Sequence, residues 1–294
     1  MPEKTLKKII AGRKLEISHP GRVYFPEAGI TKEEVVNYYE QVWPYMQPYL
    51  KNRPVTLHVY PRGIHGFSFY RRDVSGDLPP LARTVPYRER SREKTIQLLL
   101  VDELYTLLWL VARGALEWHL WACTADDFEH PDQAIFDLDA SADTPFEQLL
   151  EVSLLLRERI EKDGYRALPK TSGGTGMHLY VPLPRKQTFE EVRHWVKEIG
   201  RELAAAHPRL LAAPGSDHKT HSQKRVLVDY AQNSLGKNTA APYTLRAYPD
   251  ARVSAPLSWE EVEKGGFRPA DFNLHSMPVH LKKGDPWLSN ISSQ

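Results

Sequence analysis

The chain has 294 residues, of which 41% are hydrophobic and 26% charged, and a formal net charge of +2. That length supplies ample core for one large α/β domain or two small lobes, and the composition excludes a disordered chain or a fibre. A single cysteine, Cys123, excludes an internal disulfide and a cysteine-rich zinc site, so a reducing cytoplasm is the expected setting.

In chain order, the first segment is basic but has no apolar stretch or cleavage site, which predicts no secretory leader. Lys4, Lys7, Lys8, Arg13 and Lys14 crowd this end, and Arg71, Arg72, Arg83, Arg88, Arg90, Arg92 and Lys94 crowd a second stretch. Either group suits a phosphate backbone, and either suits a solvated surface. Thr31-Lys-Glu-Glu34 is a capping box and predicts a helix to about Trp43, where Pro44 breaks or kinks it. Val55 to Val59 reads as a strand, and a pliable border is expected within residues 73–95, rich in Pro, Arg and Ser. The greasy stretch Leu98 to Ala122 carries Asp102, Glu103, Arg113 and Glu117. It is too polar to span a bilayer and predicts a core helix. Ala134 to Leu138, His178 to Pro182, Val226 to Tyr230 and Tyr243 to Ala247 read as further strands. Capping boxes at Thr144, Thr188 and Ser258 predict three more helices. Alternating strands and helices predict an α/β fold.

The sharpest chemistry lies in Ile135-Phe-Asp-Leu-Asp139. Residues i and i+2 of a strand share a face, so Asp137 and Asp139 project together while Phe136 and Leu138 face the core. Paired carboxylates repel unless a proton or cation sits between them, and hard oxygen donors suit Mg2+ or Mn2+. Asp229, ending the apolar run Val226-Leu-Val, is the candidate third ligand. Three converging carboxylates suit two ions roughly 3.5–4 Å apart. Two surface aspartates at a strand end would leave the same trace.

Lys170-Thr-Ser-Gly-Gly-Thr-Gly-Met-His178 suits backbone N–H groups turned toward an anion, with Ser172 adding a hydroxyl donor and His178 in reach of a triphosphate. It is not a Walker loop, and a plain glycine turn is the alternative. Arg246, read on an apolar strand, needs an anionic partner, either a triphosphate or an aspartate. His119 reads as a core histidine or a ligand. Lys32, at the first helical position after Thr31, makes a phosphate site with Arg22, or is simply solvated. Phe67, Phe69 and Tyr70 beside Arg71 and Arg72 suit base stacking, or an amphipathic strand.

As a set, these motifs resemble the polymerase domain of prokaryotic end-joining systems, often fused to an ATP-dependent DNA ligase and called ligase D, of the archaeo-eukaryotic primase superfamily. The resemblance is carried by HPGRVYFP from His19 to Pro26, and by FDLDA with its preceding His130-Pro-Asp132. It continues through TSGGTGMHLYVPL, VDYAQN, APYTLRA and APLSW to Pro286-Trp287, nearly the whole chain. It implies an RRM-like central antiparallel or mixed sheet with flanking helices and an N-terminal α/β segment. One primase-polymerase domain over 1–294 is expected, with a DNA-end-binding segment over about 1–95 and a catalytic core over 96–294.

The resemblance further implies that Asp137, Asp139 and Asp229 bind two Mn2+ or Mg2+ ions and are the catalytic residues. His119, Ser172, Gly173, Thr175, His178 and Arg246 would contact the nucleotide, Arg22 and Lys32 a DNA 5′-phosphate, and Phe69 with Tyr70 the template bases. The implied activity is template-directed extension of primer 3′ ends and filling of short gaps at double-strand breaks, favouring ribonucleotides. Implied partners are gapped or broken DNA, nucleoside triphosphates, Ku and an ATP-dependent ligase, in a nucleoid-associated cytoplasmic setting without a membrane. Thr175 stands where many relatives carry lysine, and Arg22 where lysine is frequent. A non-catalytic module that bridges DNA ends, and a primase that starts chains unaided, are the competing functions.

Overall fold

The computed structural model describes residues 5–89, 93–140, 143–215 and 224–288. Lys4, Arg90 and Arg92 of the two basic groups lie outside the described residues. The chain divides into two compact units. Unit 1 comprises Met1–Trp121, Ala240–Val253 and Asn273–Lys282; unit 2 comprises Ala122–Thr239, Ser254–Phe272 and Lys283–Gln294. Among the described residues, no helix is long and apolar enough to cross a membrane.

Unit 1 opens on a hairpin of β1 (Thr5–Ile10) and β2 (Arg13–Ser18), then a short pair, β3 (Val23–Phe25) and β4 (Ile30–Thr31). Helix α1 (Lys32–Leu50) follows, its capping box at Thr31 formed as expected. It does not stop near Trp43 but runs through Pro44 and Pro48. An internal proline costs about 3 kcal/mol. Val42, Met46 and Leu50, each 0% exposed, continue the buried face past it. At about 1.5–3 kcal/mol for each buried side chain, burial of these three offsets the cost of the two prolines.

A mixed-length antiparallel sheet follows: β5 (Pro54–Val59), β6 (Phe69–Arg71), β7 (Arg83–Glu89), β8 (Lys94–Leu100) and, after α2 (Leu104–Val111), β9 (Ala115–Trp121). One edge of β5 pairs with β9, and its other edge is shared between β8 and β6. The stretch from Leu98 to Ala122 is therefore strand, short helix and strand rather than one core helix. Gly114 makes the second break: its φ is +100°, and a Cβ there would lie 2.8 Å from the Pro61 Cα. Within the expected pliable border at 73–95, residues 73–82 carry no strand, and from Arg83 the stretch enters the β7–β8 pair.

Tyr243 to Ala247 is not a strand. Tyr243 has φ +67°, and the segment keeps a single bridge, Leu245 to Val253. Its link to β9 runs through a side chain, the Thr244 hydroxyl accepting the Trp118 N–H at 2.8 Å.

Unit 2 runs β10 (Gln133–Ala140), α3 (Phe146–Lys162), β11 (Leu168–Thr171), β12 (Met177–Pro182), α4 (Phe189–Ala206), β13 (Leu211–Ala212), β14 (Val226–Asp229) and the short α5 (Trp259–Lys264). The sheet order is β11-β12-β10-β14-β13, antiparallel except for the β13–β14 pair. Leaving out the two-residue β13, the order β-α-β-β-α-β with the first and third strands, β10 and β12, at the centre is the RRM-like topology. Helices α3 and α4 pack on this sheet. Phe136 and Leu138, both 0% exposed, face inward as the alternation predicts, and Trp195 meets the Phe136 ring edge-on at 5.4 Å. Capping boxes form at Thr188 and Ser258. The one at Thr144 does not. Helix α3 starts at Phe146 after an extended Pro145, and Glu147 turns to Arg268, 2.5 Å away.

Candidate active site

Strand alternation puts Asp137 and Asp139 on the face of β10 opposite Phe136 and Leu138. The ladder then sets Asp229 directly across from Asp137. Asp137, Asp139 and Asp229 each offer a carboxylate oxygen, and these atoms lie within 4.8 Å of one another. Burial first, then the charges of Asp137 and Asp229, push the Asp139 carboxyl up to about 7. The donor set is all oxygen and strongly anionic, which fits a hard divalent cation. On the other flank, β12 brings His178 opposite Asp137, with Nε2 3.2 Å from the Asp137 Oδ1.

Asn233 holds the chain just after Asp229. Its side-chain amide accepts the Ile135 N–H at 2.8 Å and donates to the Ile135 carbonyl at 2.7 Å. That bond pair copies a strand neighbour and pins the segment to β10. Motif order alone did not single out this role.

The Ser172 turn departs from the expected anion cradle. The N–H groups of Gly174 and Gly176 donate to the Ser172 Oγ, at 3.0 and 3.2 Å, and so point into the turn. Gly173 bends with φ +73°, and Thr175 is exposed. Gly176 is required for close approach: a Cβ there would sit 2.4 Å from the carbonyl oxygen of Leu138, between the two aspartates. Gly176→Ala is therefore expected to lower unfolding free energy by about 1–3 kcal/mol, the usual cost of overpacking, as read by urea denaturation. An unchanged midpoint would contradict this packing account.

Unit 1 carries a second polar group. His119 is 7% exposed on β9, and Glu117, two residues earlier on the same face, is 3% exposed. The Glu117 Oε2 lies 3.1 Å from the His119 Nε2, 3.4 Å from the His58 Nδ1 and 3.4 Å from the Arg246 Nε. Arg246 has the anionic partner it needs, but that partner is Glu117 and not an aspartate. Burial alone would raise the Glu117 carboxyl; hydrogen bonds from His119 and His58 and the charge of Arg246 hold it well below the usual carboxylate range. Burial lowers the His119 imidazole, against the pull of Glu117. Glu117 and His58 were missed in the sequence. Their trace was there: single ionisable residues inside otherwise apolar strands.

Phe69 and Tyr70 pack on different partners. Phe69 stacks on Phe67 at 5.7 Å, whereas Tyr70 stacks on His58 at 4.0 Å and meets His119 edge-on at 5.8 Å. Phe67 and Phe69 are 75% and 40% exposed, so the bland reading of both as core residues fails.

Lys32 and Arg22 share one turn. The Lys32 N–H donates to the Arg22 carbonyl at 2.8 Å, the Lys32 Nζ to the Ser18 carbonyl at 2.8 Å, and the Arg22 guanidinium to the Pro61 carbonyl at 3.0 Å. Lys32 is only 4% exposed, so it is not a solvated lysine. Its burial, then the nearby cations Arg22 and Arg113, lower its ammonium to about 8. Arg113, with its Cζ 3.3 Å from the centre of the Trp109 ring, is a third cation the sequence reading passed over.

The family model described as the LigD primase-polymerase domain matches residues 31–287. The multifunctional non-homologous end joining protein LigD of Pseudomonas aeruginosa is 31% identical, over 93% of this chain and 32% of its own length. The bifunctional non-homologous end joining protein LigD of Bacillus subtilis is 30% identical, over 92% of this chain and 43% of its own. The chain thus spans less than half of these relatives. Among solved structures, the polymerase domain from Mycobacterium tuberculosis Ligase D in complex with DNA matches with a TM-score of 0.86 and 26% identity, over 93% of this chain and 96% of that one. With the aspartates gathered on an RRM-like sheet and the match running through nearly the whole length, the chain belongs to the LigD primase-polymerase domain family.

Proposed function

We propose that this domain is a metal-dependent, template-directed nucleotidyltransferase that extends primer 3′ ends and fills short gaps at DNA double-strand breaks. The observation that carries it is the three-carboxylate group, with Asp137 and Asp229 paired across one ladder and all three ligand atoms within 4.8 Å. Asp137, Asp139 and Asp229 would hold Mg2+ or Mn2+, as a two-ion site. Bound there, the metal supplies charge neutralisation for the attacking 3′-hydroxyl and the leaving pyrophosphate. The residues themselves do no covalent chemistry; they hold, orient and exclude.

In unit 2, Ser172 and His178, with Gly173 and Thr175 of the same turn, are the proposed nucleotide contacts. The Ser172 oxygen accepts the Gly174 and Gly176 N–H groups, which fixes the hydroxyl within the turn. In unit 1, His119 and Arg246 are proposed nucleotide contacts. Phe69, with its exposed neighbour Phe67, and Tyr70 offer stacking faces to bases. Gapped or broken DNA and nucleoside triphosphates are the proposed substrates, with ribonucleotides favoured, and Ku and an ATP-dependent ligase the proposed partners.

The test is primer extension on a gapped duplex with Mn2+ and nucleotides, against the same mixture with a chelator. Extension that stops on chelation supports the reading. A shifted duplex without extension would point to a bridging module, and products on template lacking primer would point to a primase. Running ribonucleotides beside deoxyribonucleotides checks the sugar preference.

Arg22 and Lys32 are the proposed grip on a 5′-phosphate. Lys32 is charged below about 8 and loses its proton above, so preference for a 5′-phosphorylated gap is expected to fall as pH rises from about 8 to about 9.5. A bound phosphate itself favours the ammonium form, so the fall begins above 8 rather than at it. Competition binding with phosphorylated and unphosphorylated gaps reads this. A preference that is flat with pH, or kept in Lys32→Ala, would contradict it.

A further inference from the structure

The polar group of unit 1 is organised around one side chain. Glu117 sits in the run Ala115–Trp121, every residue of which is buried. A carboxylate in such a strand costs several kcal/mol unless it is fully paired, and an apolar residue of similar volume would serve the fold as well. Here both oxygens are used. Oε1 accepts the Ala247 N–H at 2.8 Å, and Oε2 faces His119, His58 and Arg246. Ala247 follows Arg246 in the irregular segment that replaces the expected strand. Glu117 therefore reaches Arg246 twice, by charge and through its neighbour's backbone.

A carboxylate only accepts hydrogen bonds. The His119 Nε2, 3.1 Å away, must then carry the hydrogen, which leaves Nδ1 with its lone pair. His58 is braced in turn by the Tyr60 hydroxyl at 3.0 Å and the Ser68 hydroxyl at 3.2 Å. The ligand atoms of His58, Glu117 and His119 also lie within 4.8 Å of one another, the spacing of a metal site. The Arg246 guanidinium, 3.4 Å from the same carboxylate oxygen, already supplies the positive charge a metal would bring. That geometry favours a hydrogen-bonded network over an ion.

We infer that Glu117 is a positioning residue: it fixes the His119 imidazole in its Nε2–H form and aims the Arg246 guanidinium, so setting how both meet the nucleotide. The inference rests on the nucleotide-binding role proposed for His119 and Arg246.

The test compares the wild-type domain with Glu117→Gln, His119→Ala, Arg246→Ala and the combinations, by primer extension on a gapped duplex. Glu117→Gln keeps the shape but loses the charge, and is expected to raise nucleotide KM by about tenfold, one charged hydrogen bond's worth. Affinity for the gapped duplex should stay within about twofold. In the His119→Ala, Arg246→Ala background the same change should add less than about twofold, since coupled residues are not additive. A raised KM in His119→Ala with a normal KM in Glu117→Gln would overturn the inference alone. Normal KM values in Glu117→Gln, His119→Ala and Arg246→Ala would overturn the nucleotide-binding role and the inference with it. A tenfold effect of Glu117→Gln that persists in the double background would show that Glu117 acts elsewhere. Should Glu117→Gln not fold, nitrogen NMR of the wild-type histidines decides: the Nε2–H form of His119 is expected, and the Nδ1–H form would overturn the proposal.

Discussion

Asp137→Ala and Asp139→Ala, each made alone, are expected to lower primer extension at least about a thousandfold while leaving DNA affinity within about twofold. A metal at a phosphoryl-transfer centre contributes several kcal/mol of charge stabilisation, and about 4 kcal/mol corresponds to a factor of a thousand. Removing one of three carboxylates whose oxygens lie within 4.8 Å takes away a ligand and lowers the site's negative charge. Neither side chain packs in the core; that work falls to Phe136 and Leu138. Loss of activity should therefore come without loss of fold. In chelator at pH 8, where Asp139 is ionised, Asp139→Ala should melt at the wild-type temperature or above it, because it removes a repelling charge. Extension that survives in both variants, measured on a gapped duplex with Mn2+, would remove the basis of the proposed function.

The second large effect concerns the metal and pH together. Burial and two neighbouring carboxylates raise Asp139 to about 7, above the ordinary value of 3.8. In the folded, metal-free domain Asp139 thus keeps a proton that the unfolded chain releases near pH 4. Its contribution to stability is therefore present at low pH and is lost as pH rises from about 4 to about 7. A divalent cation replaces that proton. Mn2+ at a hundred times its Kd stabilises by about 2.7 kcal/mol, which for a domain of this size is about 5–10 °C. That shift is expected in full at pH 8 and should shrink sharply at pH 5.5, where protons compete for the site. Differential scanning fluorimetry with and without Mn2+ at the two pH values reads it. Asp139→Asn, with no proton to exchange, should bind the ion weakly and show little pH dependence. An equal shift at both pH values in the wild type would mean that the ion binds elsewhere.

What was legible in the sequence was what depends on near neighbours along the chain. The boxes at Thr31, Thr188 and Ser258 formed because a cap needs only a residue three positions on. Asp137 and Asp139 share a face because a strand alternates, whatever it pairs with. At Thr144 the helix starts one residue later than a box requires, with Pro145 as the N-cap, and Glu147 pairs with Arg268, far along the chain. Proline at 44 read as a stop because the burial that carries α1 past it depends on the elements packed against Val42, Met46 and Leu50.

Tertiary structure decided the rest. Only the antiparallel register of β10 and β14 sets Asp229 opposite Asp137. Only the pairing of β5 with β9, and the turn that carries Arg246 and Ala247, gathers His58, His119 and Arg246 around Glu117. The glycine turn looked open to an anion until Ser172 was seen to hold its N–H groups. Local patterning selects which side chains share a face and where helices begin, because those choices are made over a few residues. Which charges end up buried together depends on non-local strand pairing; the desolvation that raises Asp139 and lowers Lys32, and the buried partners that hold Glu117 low, exist only after the chain has folded.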